Sequence, residues 1–221
     1  MPERRLLDST QLFASLPDDV VARLRDHATV RAYRRNDTLC HQGDPSNELF
    51  IVQSGRVAVA AQSGDGRESV IAILERGGLF GELGLFDGAP RSADVRALTD
   101  TRVVALAYDP VREALEDRPE LLWIIVRILA ERLRATDEAL VDALFLDVPA
   151  RTAKRLIEIA GDDETFTLPL TQEELAAMVG ASRERVNKAL ALFVRLGWLE
   201  VEGRNHYRIL QRDQLELRAS L

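Results

Sequence analysis

Residues 80–95 read Phe-Gly-Glu-Leu-Gly-Leu-Phe-Asp-Gly-Ala-Pro-Arg-Ser-Ala-Asp-Val. Glycine has no Cβ atom, so backbone N–H groups beside it can approach a phosphate closely. Arg91 can donate a bidentate pair of hydrogen bonds to phosphate oxygens, Ser92 adds a hydroxyl, and Glu82 can accept from a ribose hydroxyl. The stretch therefore has the outline of a pocket for a sugar phosphate.

Short apolar strands surround this stretch between Ala32 and Ala107. Turn sequences such as Gly43-Asp44-Pro45-Ser46 and Ser63-Gly64-Asp65-Gly66 separate them, as is typical of antiparallel strands. The pattern predicts a small antiparallel sandwich or barrel. Before it, apolar residues near a 3.6 period predict a helix over residues 9–28.

A helical pattern returns after Tyr108 and lasts to about Leu146, with a break near Pro119. Its later part repeats at steps of four and three, at Leu122, Val126, Leu129, Leu133, Thr136, Leu140 and Ala143. Such a narrow stripe is typical of paired helices and predicts a homodimer. The alternative is an amphipathic helix that packs against its own domain. Thr136, the polar member, either sets the register or touches a ligand held against the helix.

Two helices joined by a short turn are predicted near the C-terminus. Thr171 and Glu174 form a capping box, Gly180 ends the first helix, and Ser182 caps a second helix that runs to about Arg195. This is helix-turn-helix spacing, in which the second helix enters the major groove of DNA. Any helical hairpin can mimic the motif, so the neighbouring elements matter.

The second helix turns four polar side chains outward when its apolar positions are buried: Arg183, Glu184, Asn187 and Lys188. Arginine suits the O6 and N7 atoms of guanine, and glutamate accepts from N4 of cytosine. Residues 198–210 then form a hairpin, a wing in which Arg204 can reach phosphate. The alternative is that these charges belong to an ordinary solvated face.

Composition limits the classes of function. The 221 residues carry a formal charge of −7, but residues 149–221 hold eleven basic and eleven acidic residues, so a local DNA-binding surface is compatible with the acidic total. The longest apolar runs, such as residues 121–126, are too short to span a membrane, and no secretory signal is evident, which predicts a cytoplasmic protein. A single cysteine, Cys40, and three scattered histidines predict no disulfide, metal site or iron–sulfur cluster.

Together these motifs resemble the cyclic-AMP receptor protein family, the catabolite-activator type of bacterial transcription factor, over nearly the whole chain. The resemblance rests on residues 80–86, 90–93, 145–148 and 180–184. It implies an α+β fold with three parts. These are an N-terminal antiparallel β-roll, or jelly roll, that binds cyclic AMP (1–108), a dimerisation helix (109–146) and a winged helix-turn-helix (147–221).

The resemblance also implies roles for the ligand-binding residues. Gly81, Leu83, Arg91 and Ser92 would hold the cyclic phosphate. Glu82 would bind the ribose 2′-hydroxyl, and Thr136 would meet the adenine amino group. Asp137 stands where the best-known members carry a small hydroxyl residue. Its carboxylate can accept from an amino group but adds charge near the base.

For DNA, the resemblance implies that Arg183, Glu184 and Lys188 read one half of a palindrome, with half-sites about one helical turn apart. Lys188 replaces the more usual arginine, and an ammonium lacks the guanidinium fork. RNA polymerase is a partner implied by the family alone.

The sequence thus predicts a cyclic-AMP-responsive, homodimeric, DNA-binding transcription regulator that switches through a hinge at residues 145–148. One alternative is a related regulator that senses another effector or needs none, although the Glu82, Arg91 and Ser92 set is intact. A second is a nucleotide-using enzyme, which the missing phosphate-transfer and nucleophile motifs disfavour. A third is a regulatory subunit that acts on a protein partner, which the winged helix disfavours.

Overall fold

The computed structural model of the protein describes residues 16–62, 68–168, 170–203 and 205–220. Its contacts divide the chain into two compact units, Met1–Arg132 and Leu133–Leu221, and each is described by itself. The first helix among the described residues spans Asp18–Asp26, and the chain enters a strand at Ala28. It is therefore shorter than the predicted helix over 9–28, of which residues 9–15 lie outside the described part of the chain.

The first unit contains most of the strands, as predicted. In chain order its elements are α1 (Asp18–Asp26), β1 (Ala28–Tyr33), β2 (Thr38–Cys40), β3 (Glu48–Ser54), β4 (Val57–Gln62), β5 (Glu68–Leu74), β6 (Leu79–Phe80), α2 (Leu83–Asp87), β7 (Asp94–Ala97), β8 (Thr101–Ala107), α3 (Tyr108–Asp117), a 3-10 turn (Pro119–Leu121) and α4 (Leu122–Phe145), which continues into the second unit. Its strands form two antiparallel four-stranded sheets, ordered β1-β8-β3-β6 and β2-β7-β4-β5.

Strand β3 has two buried faces. Phe50 and Val52 point into the core between the two sheets, whereas Leu49 and Ile51 point into a second core against α1 and α3. This division follows from the two-residue period of a strand. Burial of both faces therefore explains why β3 is continuously apolar and does not alternate with polar residues.

The second unit carries the helix-turn-helix and its wing. Its elements after α4 are α5 (Val148–Ala160), β9 (Thr165–Thr167), α6 (Gln172–Val179), α7 (Arg183–Arg195), β10 (Leu199–Gly203), β11 (His206–Ile209) and α8 (Arg212–Ala219). The predicted hairpin is β10 and β11, but β9 joins it in a three-stranded sheet ordered β10-β11-β9. Neither β9 nor α8 was predicted from the sequence.

Three predicted caps fix the helix starts in this unit. The Asp147 carboxylate accepts from the N–H of Ala150 at 2.9 Å, and the Ser182 hydroxyl accepts from Arg185 at 3.4 Å. Thr171 and Glu174 form the reciprocal capping box. In the described part of the chain, no helix is both long and apolar enough to cross a bilayer.

Candidate functional site

Gly81 lies at the centre of the predicted pocket, directly after β6. Its carbonyl oxygen accepts from Arg91 Nη1 at 3.0 Å and from the Tyr108 hydroxyl. Its φ is +75°, and a Cβ atom built there would collide with Arg91 Nη1. Glycine is required here both by the backbone conformation and by the close approach of the guanidinium.

Backbone bonds to the loop between β2 and β3 fix the position of Arg91. The N–H of Arg91 donates to the Asp44 carbonyl at 2.9 Å, and its carbonyl accepts from Gly43 at 2.8 Å. The residue is only 8% exposed. Within the described residues its guanidinium forms no ion pair, and its polar contact is a neutral carbonyl. A buried cation of this kind is an attractive site for an anion.

Glu82 is the most buried charged residue of the pocket, at 1% exposure. Arg132 Nη1 lies 2.5 Å from its Oε1 atom, and Arg132 Nη2 donates to the Leu79 carbonyl at 2.7 Å. No donor among the described residues reaches Oε2, which is also buried. Since buried polar atoms in proteins are normally hydrogen-bonded, Oε2 is suited to accept from a ligand hydroxyl.

The other predicted ligand residues are more exposed. Leu83 is the first residue of α2 and is 41% exposed, and Ser92 is exposed in the turn after Arg91. Thr136 and Asp137 lie on the exposed part of α4 in the second unit. The structure thus brings Gly81, Glu82 and Arg91 together, whereas Thr136 and Asp137 belong to the other unit.

Arg132 is a pocket residue that was not predicted from the sequence. Its spacing of four from Thr136 was an available signal, because residues four apart share one face of a helix. Only the folded unit shows that its guanidinium reaches a carboxylate 50 positions earlier in the chain.

The pocket chemistry fits an anion that also carries a hydroxyl donor. The guanidinium of Arg91 suits phosphate oxygens, and the open Oε2 of Glu82 suits a sugar hydroxyl. Nearby, burial raises the pKa of the Cys40 thiol above its ordinary value, which keeps it protonated and unreactive. No group of three His, Cys, Asp or Glu side chains in the described ranges is arranged to hold a metal ion.

In the second unit, α7 presents a charged face next to its N-terminus. Val186, Ala189, Leu190 and Phe193 are buried on the other side. Arg183, Glu184 and Lys188 are exposed as predicted. Lys188 Nζ lies 2.6 Å from Glu184 Oε1, and this hydrogen bond lowers the pKa of the Glu184 carboxyl. Glu184 is therefore held in its ionised, acceptor form.

Asn187 and the wing complete this face. Asn187 is half-buried, and its side-chain oxygen has no hydrogen-bond partner among the described residues. In the wing, Arg208 pairs with Glu202, and the Thr167 hydroxyl is 3.0 Å from His206 Nδ1. Arg204, the predicted phosphate contact, lies outside the described residues.

Comparison with known proteins covers both units. Residues 30–118 match the cyclic nucleotide-binding domain family, and residues 150–218 match the Crp-like helix-turn-helix domain family. The chain is 38% identical over 207 residues to the CRP-like cAMP-activated global transcriptional regulator of Mycobacterium tuberculosis H37Rv, an alignment that covers 90% of this chain and 92% of that protein.

Two further similarities cover most of the chain. The cAMP-activated global transcriptional regulator CRP of Haemophilus influenzae is 31% identical over 206 residues, covering 90% of this chain and 92% of that one. The solved structure of the c-di-GMP responsive global regulator CLP of Xanthomonas campestris is 27% identical with a TM-score of 0.75, covering 87% of this chain and 99% of that one.

Proposed function

Because the chain belongs to the CRP/FNR family of transcription regulators, we propose that it is a homodimer that responds to cyclic AMP and binds palindromic DNA. Like its family, it has a cyclic nucleotide-binding domain, a DNA-binding helix-turn-helix domain and no enzymatic role. Within this proposal, residues 1–108, 109–146 and 147–221 are the nucleotide-binding, dimerising and DNA-binding parts. The protein would act in the cytoplasm, where promoter DNA and RNA polymerase are its partners.

The observation that carries the ligand proposal is the buried guanidinium of Arg91, which forms no ion pair with any of the described residues. The cyclic phosphate of a cyclic nucleotide has one negative charge, which would offset this cation with charge-assisted hydrogen bonds. Gly81, Leu83 and Ser92 would line the same phosphate. The 2′-hydroxyl would donate to Glu82 Oε2, the buried oxygen that lacks a donor among the described residues. Two polar groups of the pocket would then be satisfied by one ligand.

Thr136 and Asp137 would select the base. In adenine, the amino group at C6 is a donor, and both side chains carry oxygen atoms that can accept from it. Guanine has a carbonyl oxygen at that position, which would face the Asp137 carboxylate and be repelled. We therefore expect Asp137 to favour cyclic AMP over cyclic GMP.

The exposed apolar side chains of α4 support the homodimer. Val126, Leu133 and Leu140 are 50%, 62% and 59% exposed, and all three belong to the predicted stripe. A contiguous apolar stripe on one helix is a typical self-association surface. Pairing of two α4 helices would bury it and relate the two DNA-binding parts by two-fold symmetry.

In this arrangement Ser182, Arg183, Glu184, Asn187 and Lys188 would meet DNA in successive major grooves. Ser182 fixes the start of α7, Arg183 and Glu184 would contact base edges, and Asn187 and Lys188 would extend the same face. The other predicted contact, Arg204 of the wing, would meet phosphate. Ligand binding can shift the position of both recognition helices only if the ligand has different affinities for two arrangements of the dimer. Nucleotide binding and DNA binding must then strengthen each other by the same factor.

Selection of bound sequences from a random DNA pool tests these elements together. The full-length protein is incubated with the pool alone and with cyclic AMP, cyclic GMP or cyclic di-GMP, the last because one relative is described as responsive to it. The proposal expects a palindrome enriched by cyclic AMP. Enrichment by cyclic di-GMP alone, or equally without any nucleotide, would contradict cyclic AMP as the effector. A non-symmetric site would contradict the homodimer.

A further inference from the structure

We propose that the ring of Phe50 is a positioning residue for the phosphate-binding arginine, and that it holds Arg91 in place without neutralising its charge. This inference rests on the proposed function, since it assigns a role within the same pocket. It adds a residue that no sequence motif of the pocket contains. The guanidinium carbon of Arg91 lies 5.2 Å from the centroid of the Phe50 ring.

Phe50 is rigidly held. It is 1% exposed, and it pairs with Ala105 of β8 on one side and with Phe80 of β6 on the other. Its ring stacks on that of Phe80 with centroids 5.0 Å apart and planes inclined by 17°. Since Phe80 immediately precedes Gly81, the ring is fixed to the strand that leads into the pocket. A guanidinium resting against it is therefore fixed relative to Gly81.

The choice of an aromatic partner has a chemical consequence. A carboxylate beside Arg91 would stabilise the cation but would also cancel the charge that an anionic ligand needs. The negative face of an aromatic ring attracts a guanidinium through its quadrupole and carries no net charge. Phe50 can thus stabilise the buried Arg91, which has no ion-pair partner among the described residues, before the ligand arrives. Because the side chain is already ordered, its loss of conformational entropy does not reduce the binding free energy.

A second arginine beside the same ring provides an internal control. The guanidinium carbon of Arg31 lies 5.8 Å from the Phe50 centroid. Unlike Arg91, Arg31 is held by a bidentate pair with Glu48, at 2.6 and 2.7 Å. Its charge is already matched by this carboxylate, so Arg31 is not expected to attract a phosphate. Removing Arg31 therefore shows whether the ring affects ligand binding through Arg91 or through any arginine beside it.

The test replaces Phe50 by monofluoro-, difluoro- and trifluoro-phenylalanine in the full-length protein. Fluorine withdraws electron density from the ring face while changing its size little, so a cation–π contact weakens stepwise. We expect the affinity for cyclic AMP to fall with each fluorine, by about tenfold over the series. The series is repeated in the Arg31→Met/Glu48→Gln background, where the same slope is expected. Thermal unfolding monitors folding of every variant.

The outcomes separate this inference from the proposed function. A flat series in a protein that binds cyclic AMP would overturn the role of Phe50 and leave the pocket intact. A slope that disappears in the Arg31→Met/Glu48→Gln background would also overturn it, because the ring would then act through Arg31. If the unsubstituted protein does not bind cyclic AMP, the proposed function fails first. Phe50→Leu is expected to weaken binding at least as much as the trifluoro ring.

Discussion

Arg132 Nη1 and Glu82 Oε1 are 2.5 Å apart, and this ion pair joins the middle of α4 to the loop that follows β6. Glu82 is almost wholly buried, whereas the Arg132 side chain is 39% exposed. The pair therefore satisfies one carboxylate oxygen and leaves the other for a ligand. In the proposed function, one side chain of the helix thus prepares the pocket for the sugar hydroxyl.

Substitution of Arg132 by leucine would leave Glu82 as a buried, uncompensated carboxylate. We expect the free energy of unfolding to fall by about 2 kcal/mol, the typical cost of leaving a buried charged group without its partner. Urea-induced unfolding measures this difference. Arg127→Leu removes an exposed arginine from the same helix and is expected to change stability by less than about 0.5 kcal/mol. Equal losses in the two variants would contradict a structural role for the ion pair.

Gly81→Ala and Gly88→Ala form a matched pair. Both glycines have positive φ, +75° and +67°, but a Cβ atom at Gly88 meets nothing within 4 Å, whereas one at Gly81 meets Arg91. Each substitution should cost about 1 kcal/mol in backbone strain. Only Gly81→Ala should also weaken cyclic AMP binding, because it displaces the guanidinium. Isothermal titration calorimetry of both variants would show unequal affinities; a similar loss in both would indicate that strain alone is responsible.

The apolar stripe of α4 predicts how the protein associates. Leu133→Glu places a charge on the stripe, and each copy would also lose about 2 kcal/mol of apolar burial, so the dimer should dissociate at least about tenfold more readily. Arg134→Glu introduces the same side chain one position later, off the stripe, and should leave the dimer in place. Analytical ultracentrifugation compares the two. A monomeric wild-type protein, or a Leu133→Glu variant that remains dimeric, would contradict the proposed pairing.

The Asp147 cap predicts a pH dependence of stability in the second unit. Partial burial raises the pKa of Asp147, but hydrogen bonds from Ala150 and from the Arg218 guanidinium outweigh it and hold the pKa below its ordinary value. A lowered carboxyl pKa contributes stability that is present above the unfolded value of about 3.9 and is lost as the pH falls through the folded value.

Arg218→Gln should therefore destabilise the protein at about pH 7, and the difference from the wild type should shrink as the pH falls and Asp147 becomes protonated. We expect a difference of about 0.5 kcal/mol at neutral pH, since the Asp147 side chain is 58% exposed and the pair is screened by solvent. Urea unfolding at several pH values measures it. Arg195→Gln, at an exposed position of α7, serves as the control. A difference that is independent of pH would rule out the carboxylate as its source.

Local signals in the sequence predicted the helix starts of the second unit well. Asp147, Thr171 and Ser182 each accept from a backbone N–H three residues later, and such caps depend on neighbouring residues alone. The helix-turn-helix and the wing followed from the same local signals. Strand β9 did not, because its three residues become a strand only by pairing with β11.

The pocket residues also divide into those that local sequence predicted and those that it did not. Gly81, Glu82 and Arg91 lie within eleven consecutive residues, and the residue types in that stretch predicted their chemistry. Arg132 and Phe50 come from distant elements, and their roles depend on sheet register and on where α4 begins. Contacts across 40 or more positions are set by the packing of the whole unit. Local spacing could therefore place Arg132 on the same helix face as Thr136, but it could not show that Arg132 reaches Glu82.

Calorimetric titration of cyclic AMP into the wild-type protein and its Arg91→Leu variant is the decisive test of the proposed nucleotide site. Arg102→Leu, at an exposed position of β8, is the matched control, and thermal unfolding verifies that each variant is folded. We predict saturable binding by the wild type and by Arg102→Leu, and an affinity at least about tenfold weaker for Arg91→Leu. A folded Arg91→Leu variant that binds cyclic AMP with wild-type affinity would contradict it.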